Sequence, residues 1–363
     1  MRSQLDNVGA KGRINSIDAL RGLTVFVWLL SVTLAPVLCQ LPRSPIAETL
    51  LAQLSPSFWN GTTVLDLLLS LFLFVAGASI VPAFNKRKAA GQTNRQIAKR
   101  ILRRVVLLLA IGIVCEGAIW QDWPQLRFVG AFQRIAICYA VAAWLYLASG
   151  WRLQAGAVVF LLLDYWAILA LKSGEANRYS LEGNAAALVD QLLLPGREYF
   201  GTWDPQGILT TMPAVAVAVA GVLAGKALTT DHGRSIARSI WLLGAGIAAV
   251  NTGLLGDLLV PINPYLWTVT FCLVAIGAAS ALLGLFHAVD VHRLRVCAPL
   301  AALGRNSLVI VLVATALMNS AEIVATRLEI MRYQYSPTWL VLVLVLIVTI
   351  AFALNRHRIY LSV

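Results

Sequence analysis

Long apolar runs separated by short polar segments repeat along the whole chain. Each run approaches the roughly 20 residues that an α-helix needs to cross the hydrocarbon core of a bilayer. The pattern therefore predicts an all-α fold, a polytopic transmembrane helical bundle of about ten spans. The predicted spans cover residues 17–37, 63–84, 102–120, 129–148, 153–172, 207–226, 239–256, 265–286, 300–319 and 338–354.

The basic residues orient these spans. Residues 85–104 include eight Lys or Arg and no acidic residue. Short loops rich in Lys and Arg stay in the cytoplasm, so this loop fixes the cytoplasmic side and both termini fall inside. Residues 1–16 are then a cytoplasmic N-terminal segment. Residues 173–206 are the longest outer loop, long enough for a lid or a short interfacial helix, and residues 1–363 form a single predicted transmembrane domain.

The composition suits a membrane protein and excludes other classes. The chain is 59% hydrophobic and 13% charged, with a mean hydropathy of +0.76, which is too apolar for an ordinary soluble domain. The sequence pI near 9.9 would suit nucleic acid. Because Lys and Arg concentrate in loops between spans, no nucleic-acid partner is expected. The five cysteines are scattered without a C-x-x-C pair, so neither a disulfide framework nor a metal is expected.

The second span begins with the most informative polar residues. The turn Trp59-Asn60-Gly61 precedes it, and Asp66 follows about one helical turn inside it. An unpaired carboxylate at the centre of a spanning helix costs about 2.5 to 3.5 kcal/mol, so such a group normally faces a cavity or a partner. Asp66 therefore marks either a polar site on the outer side or a structural carboxylate bonded to a neighbouring helix. Both interpretations stay open at this stage.

Further polar groups are predicted on the same outer side. Gln133, Arg134, Trp267 and Thr268 could orient a polar ligand. A structural role or an ion pair would equally explain Arg134, and an interfacial belt would equally explain the outer tryptophans. The charged members of the outer set are Asp66, Glu116, Arg134, Asp204 and Asp257.

Proton transfer on the outer side would depend on carboxylates. All four histidines fall in segments at or in the cytoplasm, so Asp66 and Asp204 are the candidate catalytic bases. The chain has no G-x-S-x-G, H-E-x-x-H or Walker motif. Nothing therefore indicates a nucleophilic serine, a zinc hydrolase or a nucleotide-driven transporter.

Six short segments, in order along nearly the whole chain, match one family of membrane enzymes. They are Ser16-Ile17-Asp18 with Arg21-Gly22-Leu23-Thr24, Trp59-Asn60-Gly61 with Asp66 and Phe72-Leu73-Phe74, Phe132-Gln133-Arg134-Ile135-Ala136 with Cys138-Tyr139, Asp204-Pro205 with Gly207 and Pro213, Pro261-Ile262-Asn263 with Leu266-Trp267-Thr268, and Gly304-Arg305-Asn306. The chain thereby resembles the membrane acyltransferase family that includes heparan-alpha-glucosaminide N-acetyltransferase and its bacterial relatives. The resemblance implies a helical enzyme of the bacterial inner membrane that delivers an acetyl group from cytosolic acetyl-CoA to an amino sugar on the far side.

The resemblance also implies two binding regions. Acetyl-CoA is anionic and would dock from the cytoplasm on Asp18, Arg21, Arg305 and Asn306. Membrane lipid is a further expected partner, and a homo-oligomer is compatible with the chain. A glycan or amino-sugar acceptor would contact the outer residues Trp59, Asn60, Gln133, Arg134, Trp267 and Thr268.

Two positions depart from the family pattern. Similar family members carry a histidine three residues before the tryptophan of the W-N-G turn and an asparagine near the end of the first span; here these positions are Pro56 and Val32. Proline cannot relay a proton. The sequence therefore predicts an altered acyltransferase, in which Asp66 or Asp204 is the base and the acceptor amine attacks the thioester directly. The alternative is a non-catalytic relative that binds or moves a lipid or glycan, or serves as an assembly partner.

Overall fold

The computed structural model of the chain describes residues 14–40, 42, 44–117, 125–171, 178–229, 235–292, 297–327 and 337–356. Residues 1–13 of the predicted N-terminal segment and 173–177 of the predicted outer loop lie outside this range. Two of the four histidines, His232 and His357, also lie outside it.

The described residues form thirteen α-helices and no named strand. Every predicted span coincides with a helix, which confirms the all-α fold of a multi-pass membrane protein. The helices are α1 Asn15–Leu38, α2 Pro45–Leu54, α3 Leu67–Ala89, α4 Asn94–Cys115, α5 Ala131–Ala148, α6 Trp151–Leu171, α7 Ala185–Leu193, α8 Thr211–Thr229, α9 Ile236–Gly256, α10 Val269–Val291, α11 Ala298–Arg305, α12 Ser307–Arg327 and α13 Pro337–Arg356.

Seven of these helices are long and apolar enough to cross a bilayer, namely α1, α3, α5, α6, α8, α9 and α10. Helices α11 and α12 would add an eighth span if they count as one broken helix. Helix α4 begins eight residues before the predicted third span, because Thr93 and Gln96 form a capping box at its start. Its first half therefore includes basic residues of the predicted loop. The total of ten spans and the cytoplasmic termini stay predictions.

The predicted ninth span, residues 300–319, differs in shape from a continuous helix. Helices α11 and α12 meet at a bend of 72°. Asn306 lies at the bend with φ −118° and ψ 24°, outside the α-helical region, so the helical hydrogen-bond pattern is interrupted there. This break puts Arg305 at the end of a short helix instead of within a span.

The buried centre of the bundle is formed by α3, α8 and α10. Helix α8 has an alanine- and valine-rich sequence and is buried along nearly its whole length, which lets α3 pack closely against it. Hydrogen bonds between helix ends show which helix ends lie together at each end of the bundle. We call the end where α3 finishes and α4 begins the basic end, and the opposite end, where α3, α5, α8 and α10 begin, the loop end.

Candidate functional site

Two arginines and one aspartate meet at the basic end. Arg21 Nη1 lies 3.2 Å from Asp18 Oδ1, and Arg305 Nε lies 3.9 Å from Asp18 Oδ2. Arg21 also donates to the Ser79 hydroxyl of α3. The Arg21 and Arg305 side chains are 23% and 26% exposed, whereas Asp18 is buried. The cluster is a net cation, partly open to solvent, of the kind that binds phosphate or carboxylate groups.

A close contact between α1 and α11 creates this cluster. A Cβ atom at Gly304 would lie 1.8 Å from the carbonyl oxygen of Asp18, and one at Gly22 would lie 1.7 Å from that of Leu300. Only glycine fits at such a close approach. This contact brings Arg305 next to Asp18, although the two residues are far apart in the sequence. Asn306, the fourth residue predicted to bind the acetyl-CoA donor, is buried at the adjoining bend. The structure therefore brings all four predicted donor residues into one region.

Asp66 lies at the loop end in a different position from the one expected. It occupies the N-cap position of α3, before the helix instead of one turn inside it, because its carboxylate binds the preceding loop. Asp66 Oδ2 accepts hydrogen bonds from the backbone of Ser57 at 3.1 Å, the backbone of Thr63 at 2.9 Å and the Thr63 hydroxyl at 3.1 Å. Among the residues that the structure describes, Oδ1 has only a 3.4 Å contact with the Ser57 amide. Asp66 thus shapes the Trp59 turn and retains one oxygen with capacity for another donor.

Asp204, the second candidate base, is buried and bound in a bidentate ion pair. Arg127 Nε lies 2.6 Å from Oδ2 and Arg127 Nη2 lies 2.7 Å from Oδ1. The amides of Tyr199 and Gln206 donate to the same carboxylate at 3.2 and 2.8 Å. Burial lowers the pKa of Arg127, but the bonds and charge of Asp204 outweigh it and raise that pKa above its usual value. These contacts favour a structural role for Asp204, and its role as a base stays a prediction.

Asp190 and Arg134 extend the buried network behind Asp204. Asp190 lies on α7, the short helix within the outer loop, and accepts hydrogen bonds from the amides of Asp204 at 3.1 Å and Ile208 at 3.0 Å. Burial raises the pKa of Asp190, and the nearby charge of Asp204 adds to that rise. Arg134 donates to the Pro205 carbonyl at 2.7 Å and to the Thr210 hydroxyl. Together these contacts fix the start of α8.

Aromatic side chains from three loops pack around Trp59. The Trp59 ring stacks on Tyr265 with centroids 5.6 Å apart and meets Trp203 and Phe200 edge-on at 6.0 and 6.2 Å. Its indole nitrogen donates to the Tyr179 carbonyl at 2.8 Å, and the Tyr265 hydroxyl donates to the Ser57 carbonyl at 2.7 Å. We call Trp59, Tyr199, Phe200, Trp203 and Tyr265 the aromatic layer; it joins the three loops into one surface.

Three residues predicted to bind the sugar or glycan acceptor lie beside this layer, namely Asn60, Trp267 and Thr268. Asn60 accepts a hydrogen bond from the Asn263 side chain at 3.2 Å, and the Thr268 hydroxyl accepts from the Asn263 amide at 3.0 Å. Trp267 is buried with φ +53°, a conformation that bulky residues rarely adopt. The Arg134 guanidinium lies 4.8 Å from the Trp267 ring, within cation–π range.

Gln133 points away from the other predicted acceptor residues. A Cβ at Gly112 would lie 2.3 Å from Gln133 Oε1, which places this amide between α4 and α5. The predicted acceptor residues therefore divide into Gln133 on the α4 side and the group around the aromatic layer. Sequence reasoning assigned no role to Arg127, Asp190 or Ser79. Only Arg127 left a signal, because a buried Asp204 needs a cation at similar depth.

The positions of the missing family residues are also defined. Pro56 is exposed in the loop between α2 and α3, next to Ser57, whose amide binds Asp66. Val32 is half-buried within α1. In the part of the chain that the structure describes, no group of three or more His, Cys, Asp or Glu could hold a metal ion.

Comparisons with known proteins give one consistent result. No protein-family model matches the chain. The chain is 26% identical over 322 residues to the mouse heparan-alpha-glucosaminide N-acetyltransferase, covering 70% of this chain and 48% of the relative. The human protein of the same name is 26% identical over 315 residues, covering 69% and 47%. The chain thus spans about half the length of the curated relatives it matches.

Proposed function

We propose that this chain, a distant relative of heparan-alpha-glucosaminide N-acetyltransferase, is a membrane acyltransferase that moves an acetyl group from acetyl-CoA to a sugar or glycan. The donor binds at the basic end and the acceptor binds beside the aromatic layer at the loop end. The basic end faces the cytoplasm, as its Lys and Arg residues favour.

One observation carries the proposal. Residues of the six family-like segments meet in two polar regions at opposite ends of one bundle. Helix α10 measures the separation, because Thr268 precedes it and Asp290 near its end accepts a hydrogen bond from Asn15 at 3.3 Å. A helix of 23 residues is about 35 Å long, close to the thickness of the hydrocarbon core. This two-ended arrangement suits a donor and an acceptor on opposite sides of a membrane.

The basic end supplies the chemistry for the donor. The phosphate groups of acetyl-CoA are multiply charged, and guanidinium groups bind phosphate through paired N–H donors. Arg21 and Arg305 are partly exposed and both lie beside the Asp18 carboxylate, and these three side chains together carry a net positive charge that suits an anionic ligand.

Asp66 is the better of the two candidate bases. Its Oδ1 has spare hydrogen-bonding capacity, whereas both oxygens of Asp204 are bound by Arg127. In the proposed reaction the phosphates of acetyl-CoA stay at the basic end, and the pantetheine arm extends into the bundle and carries the thioester toward the loop end. The acceptor amine, entering from the loop end, attacks the thioester carbonyl carbon, the new C–N bond forms and the C–S bond breaks. The amine proton passes to Asp66 and then to the departing thiolate, which leaves as free CoA. A hydroxyl acceptor would follow the same sequence with a C–O bond.

A second candidate function is supported by a separate observation. Pro56 stands where similar proteins carry a histidine, and Asp204 is committed to an ion pair. A non-catalytic relative that binds or moves a lipid or glycan would need neither residue as a base. Binding and turnover must therefore be measured separately.

The donor site is tested by calorimetric titration of acetyl-CoA into the purified full-length chain. We expect micromolar binding that Arg21→Ala weakens at least about tenfold, since a hydrogen-bonded charge is lost. Arg100→Ala is the matched control, because Arg100 is an exposed arginine at the same end outside the cluster. Equal weakening in both variants, or no binding by folded wild type, would contradict the donor site.

Turnover is tested with radiolabelled acetyl-CoA and glycans that end in glucosamine. We expect Asp66→Asn to bind acetyl-CoA normally and to lose acetyl transfer. Donor binding without acetyl transfer to any glycan or amino sugar in the wild type would favour the non-catalytic candidate. Transfer that survives Asp66→Asn would remove Asp66 as the base while leaving the acyltransferase proposal intact.

A further inference from the structure

A buried amide without hydrogen-bond partners lies between α4 and α5 at the loop end. Gln133 is 5% exposed, and neither Oε1 nor Nε2 of its side chain has a hydrogen-bond partner among the described residues. Most buried polar side-chain atoms in proteins are paired, so an amide that lacks both a donor and an acceptor needs an explanation. A ligand that supplies one donor and one acceptor would pair both atoms.

Two glycines bring this amide close to a carboxylate. A Cβ atom at Gly112 would lie 2.3 Å from Gln133 Oε1. A Cβ atom at Gly130 would lie 3.0 Å from the same oxygen and 2.3 Å from Glu116 Oε1. A side chain at either glycine would push these groups away. The glycines therefore let the Gln133 and Glu116 oxygens meet at one face of Gly130.

Glu116 is the solvent-exposed member of this pair. It is the C-cap residue of α4, and its side chain is 24% exposed. Its Oε2 lies 3.5 Å from Arg127 Nη1, whereas Arg127 Nε and Nη2 bind Asp204. Oε1, the oxygen beside Gln133, accepts no hydrogen bond from any residue that the structure describes. It is therefore available to a ligand that enters from the loop end.

Neighbouring hydroxyl groups fit this pair of side chains. An amide presents an acceptor oxygen and a donor nitrogen side by side, and the carboxylate adds another acceptor. Of two hydroxyls on adjacent carbons, one can donate to Gln133 Oε1, while the other accepts from Nε2 and donates to Glu116 Oε1. A phosphate or carboxylate would be repelled by Glu116, and a lone ammonium group would leave Nε2 without an acceptor.

The pair adjoins the aromatic layer through Arg127. The Arg127 guanidinium lies 5.2 Å from the centre of the ring of Tyr199, a member of that layer. The same guanidinium contacts Glu116, so it joins the layer to the carboxylate. A sugar at the aromatic layer would therefore have its neighbour in the glycan on the Glu116 side.

We propose that Gln133 and Glu116 form a second sugar subsite, which binds two adjacent hydroxyl groups of the sugar next to the one that receives the acetyl group. This inference rests on the proposed function, because it takes the acceptor to be a glycan. It specifies an acceptor of at least two sugar units instead of a free monosaccharide. Gln133 and Glu116 are then binding residues with no part in proton transfer.

Matched ligands test the subsite through binding alone. Calorimetry on the detergent-purified full chain compares glucosamine with two disaccharides, in which glucosamine is joined to glucose through an α or a β linkage. We expect the better disaccharide to bind about tenfold more tightly than glucosamine, as two neutral hydrogen bonds allow. A glucosamine that carries a cyclohexyl group in place of glucose has similar bulk without hydroxyls and should gain less than about twofold.

Gln133→Leu is the sharpest variant, because leucine is of similar size and needs no hydrogen bond. We expect it to lose the disaccharide gain and to bind glucosamine as the wild type does. Its melting temperature should be unchanged or higher, since an unpaired buried amide is removed. Gln125→Leu is the matched control, because Gln125 is an exposed glutamine of the same loop as Arg127, and it should keep the gain.

A disaccharide gain that survives in Gln133→Leu would overturn the subsite. Equal binding of glucosamine and both disaccharides by the wild type would overturn it too, while leaving the acyltransferase proposal intact. Binding of none of these sugars would overturn both the subsite and the sugar acceptor. If Gln133→Leu fails to fold, Gly130→Ala takes its place, since its Cβ would force Glu116 and Gln133 apart. A gain retained in Gly130→Ala would contradict the subsite.

Discussion

The two polar regions of the bundle differ in how deeply their charges are buried. At the loop end the Asp204 carboxylate is fully buried and takes four hydrogen bonds of 2.6 to 3.2 Å. At the basic end the charged contacts of Asp18 are 3.2 and 3.9 Å long, and both arginines are about one quarter exposed. Clusters of charged residues therefore have two different roles in this chain. One cluster is buried among its partners, and the other is partly exposed to solvent.

This difference follows from the energetics of charge burial. A buried carboxylate is tolerated only when a cation and further hydrogen-bond donors bind it. The polar groups of the loop-end network therefore bind one another and hold the loops together. Partly exposed guanidinium groups lose less solvation and stay accessible to an anionic ligand. The loop-end network around Asp204 is therefore expected to govern stability, and the basic-end cluster to govern binding of the anionic donor.

The strongest test of this comparison is Arg127→Ala, which leaves the buried Asp204 carboxylate without its cation. Breaking a buried ion pair in this way destabilises a protein by about 3 to 5 kcal/mol. The expected result is a large fall in melting temperature, measured by scanning fluorimetry in detergent. Arg197→Ala is the control, because Arg197 is exposed and lies in the outer loop that contains Asp204. Arg127→Lys should fall between them; a melting temperature unchanged in Arg127→Ala would mean that the ion pair does not hold the loop end.

Gly304→Ala tests the basic end. The new methyl group would lie 1.8 Å from the Asp18 carbonyl oxygen, so α1 and α11 must separate. Overpacking of this kind costs about 1 to 3 kcal/mol, and the shift would also move Arg305 away from Asp18. We expect the affinity for acetyl-CoA to fall by more than the accompanying fall in melting temperature would explain. Gly244→Ala is the control, since a Cβ there meets nothing within 4 Å; normal donor binding in Gly304→Ala would separate this helix contact from the donor site.

Trp59→Phe tests the aromatic layer with a smaller change. Phenylalanine keeps a ring beside Tyr265 but loses the 2.8 Å hydrogen bond to the Tyr179 carbonyl. The loss of one neutral hydrogen bond costs about 1 kcal/mol. Trp241→Phe serves as the control, because Trp241 is an exposed residue of α9. If both variants melt at the same temperature, the indole bond does not join the Trp59 turn to the outer loop.

The fold could be predicted from the sequence because a spanning helix must be both apolar and long. The ten predicted stretches all contain helices, and the errors lie at boundaries that local polar chemistry decides. Asp66 is outside α3 because its carboxylate binds the preceding loop, and α4 starts early because of its capping box. The bend at Asn306 had no apolar signature, so a continuous span was expected there.

The candidate site could be predicted only where residues lie close in sequence or share a motif. Asp18 and Arg21 are three residues apart on one helix, whereas Arg305 joins them through a glycine contact that no pattern of apolar residues reveals. The partner of Asp204 was not predicted, because Arg127 lies in a loop that joins two helices and charge alone does not specify pairing. Family motifs indicated which polar residues gather, but not which of them are already satisfied.

Asp190→Asn is the finest test of the loop-end network, because it removes one titrating group and changes nothing in size. Burial raises the pKa of Asp190 above the ordinary value of 3.8. A carboxyl group whose pKa is raised on folding contributes stability below its unfolded pKa, and that contribution is lost as the pH rises through the folded pKa. The melting temperature of the wild type, taken relative to Asp190→Asn, should therefore fall from about pH 4 upward and then level off. Glu182→Gln, at an exposed position in the same loop, is the control. A difference that rises with pH would mean that the hydrogen bonds from the Asp204 and Ile208 amides outweigh burial, so that Asp190 is stabilised as an anion in the folded chain.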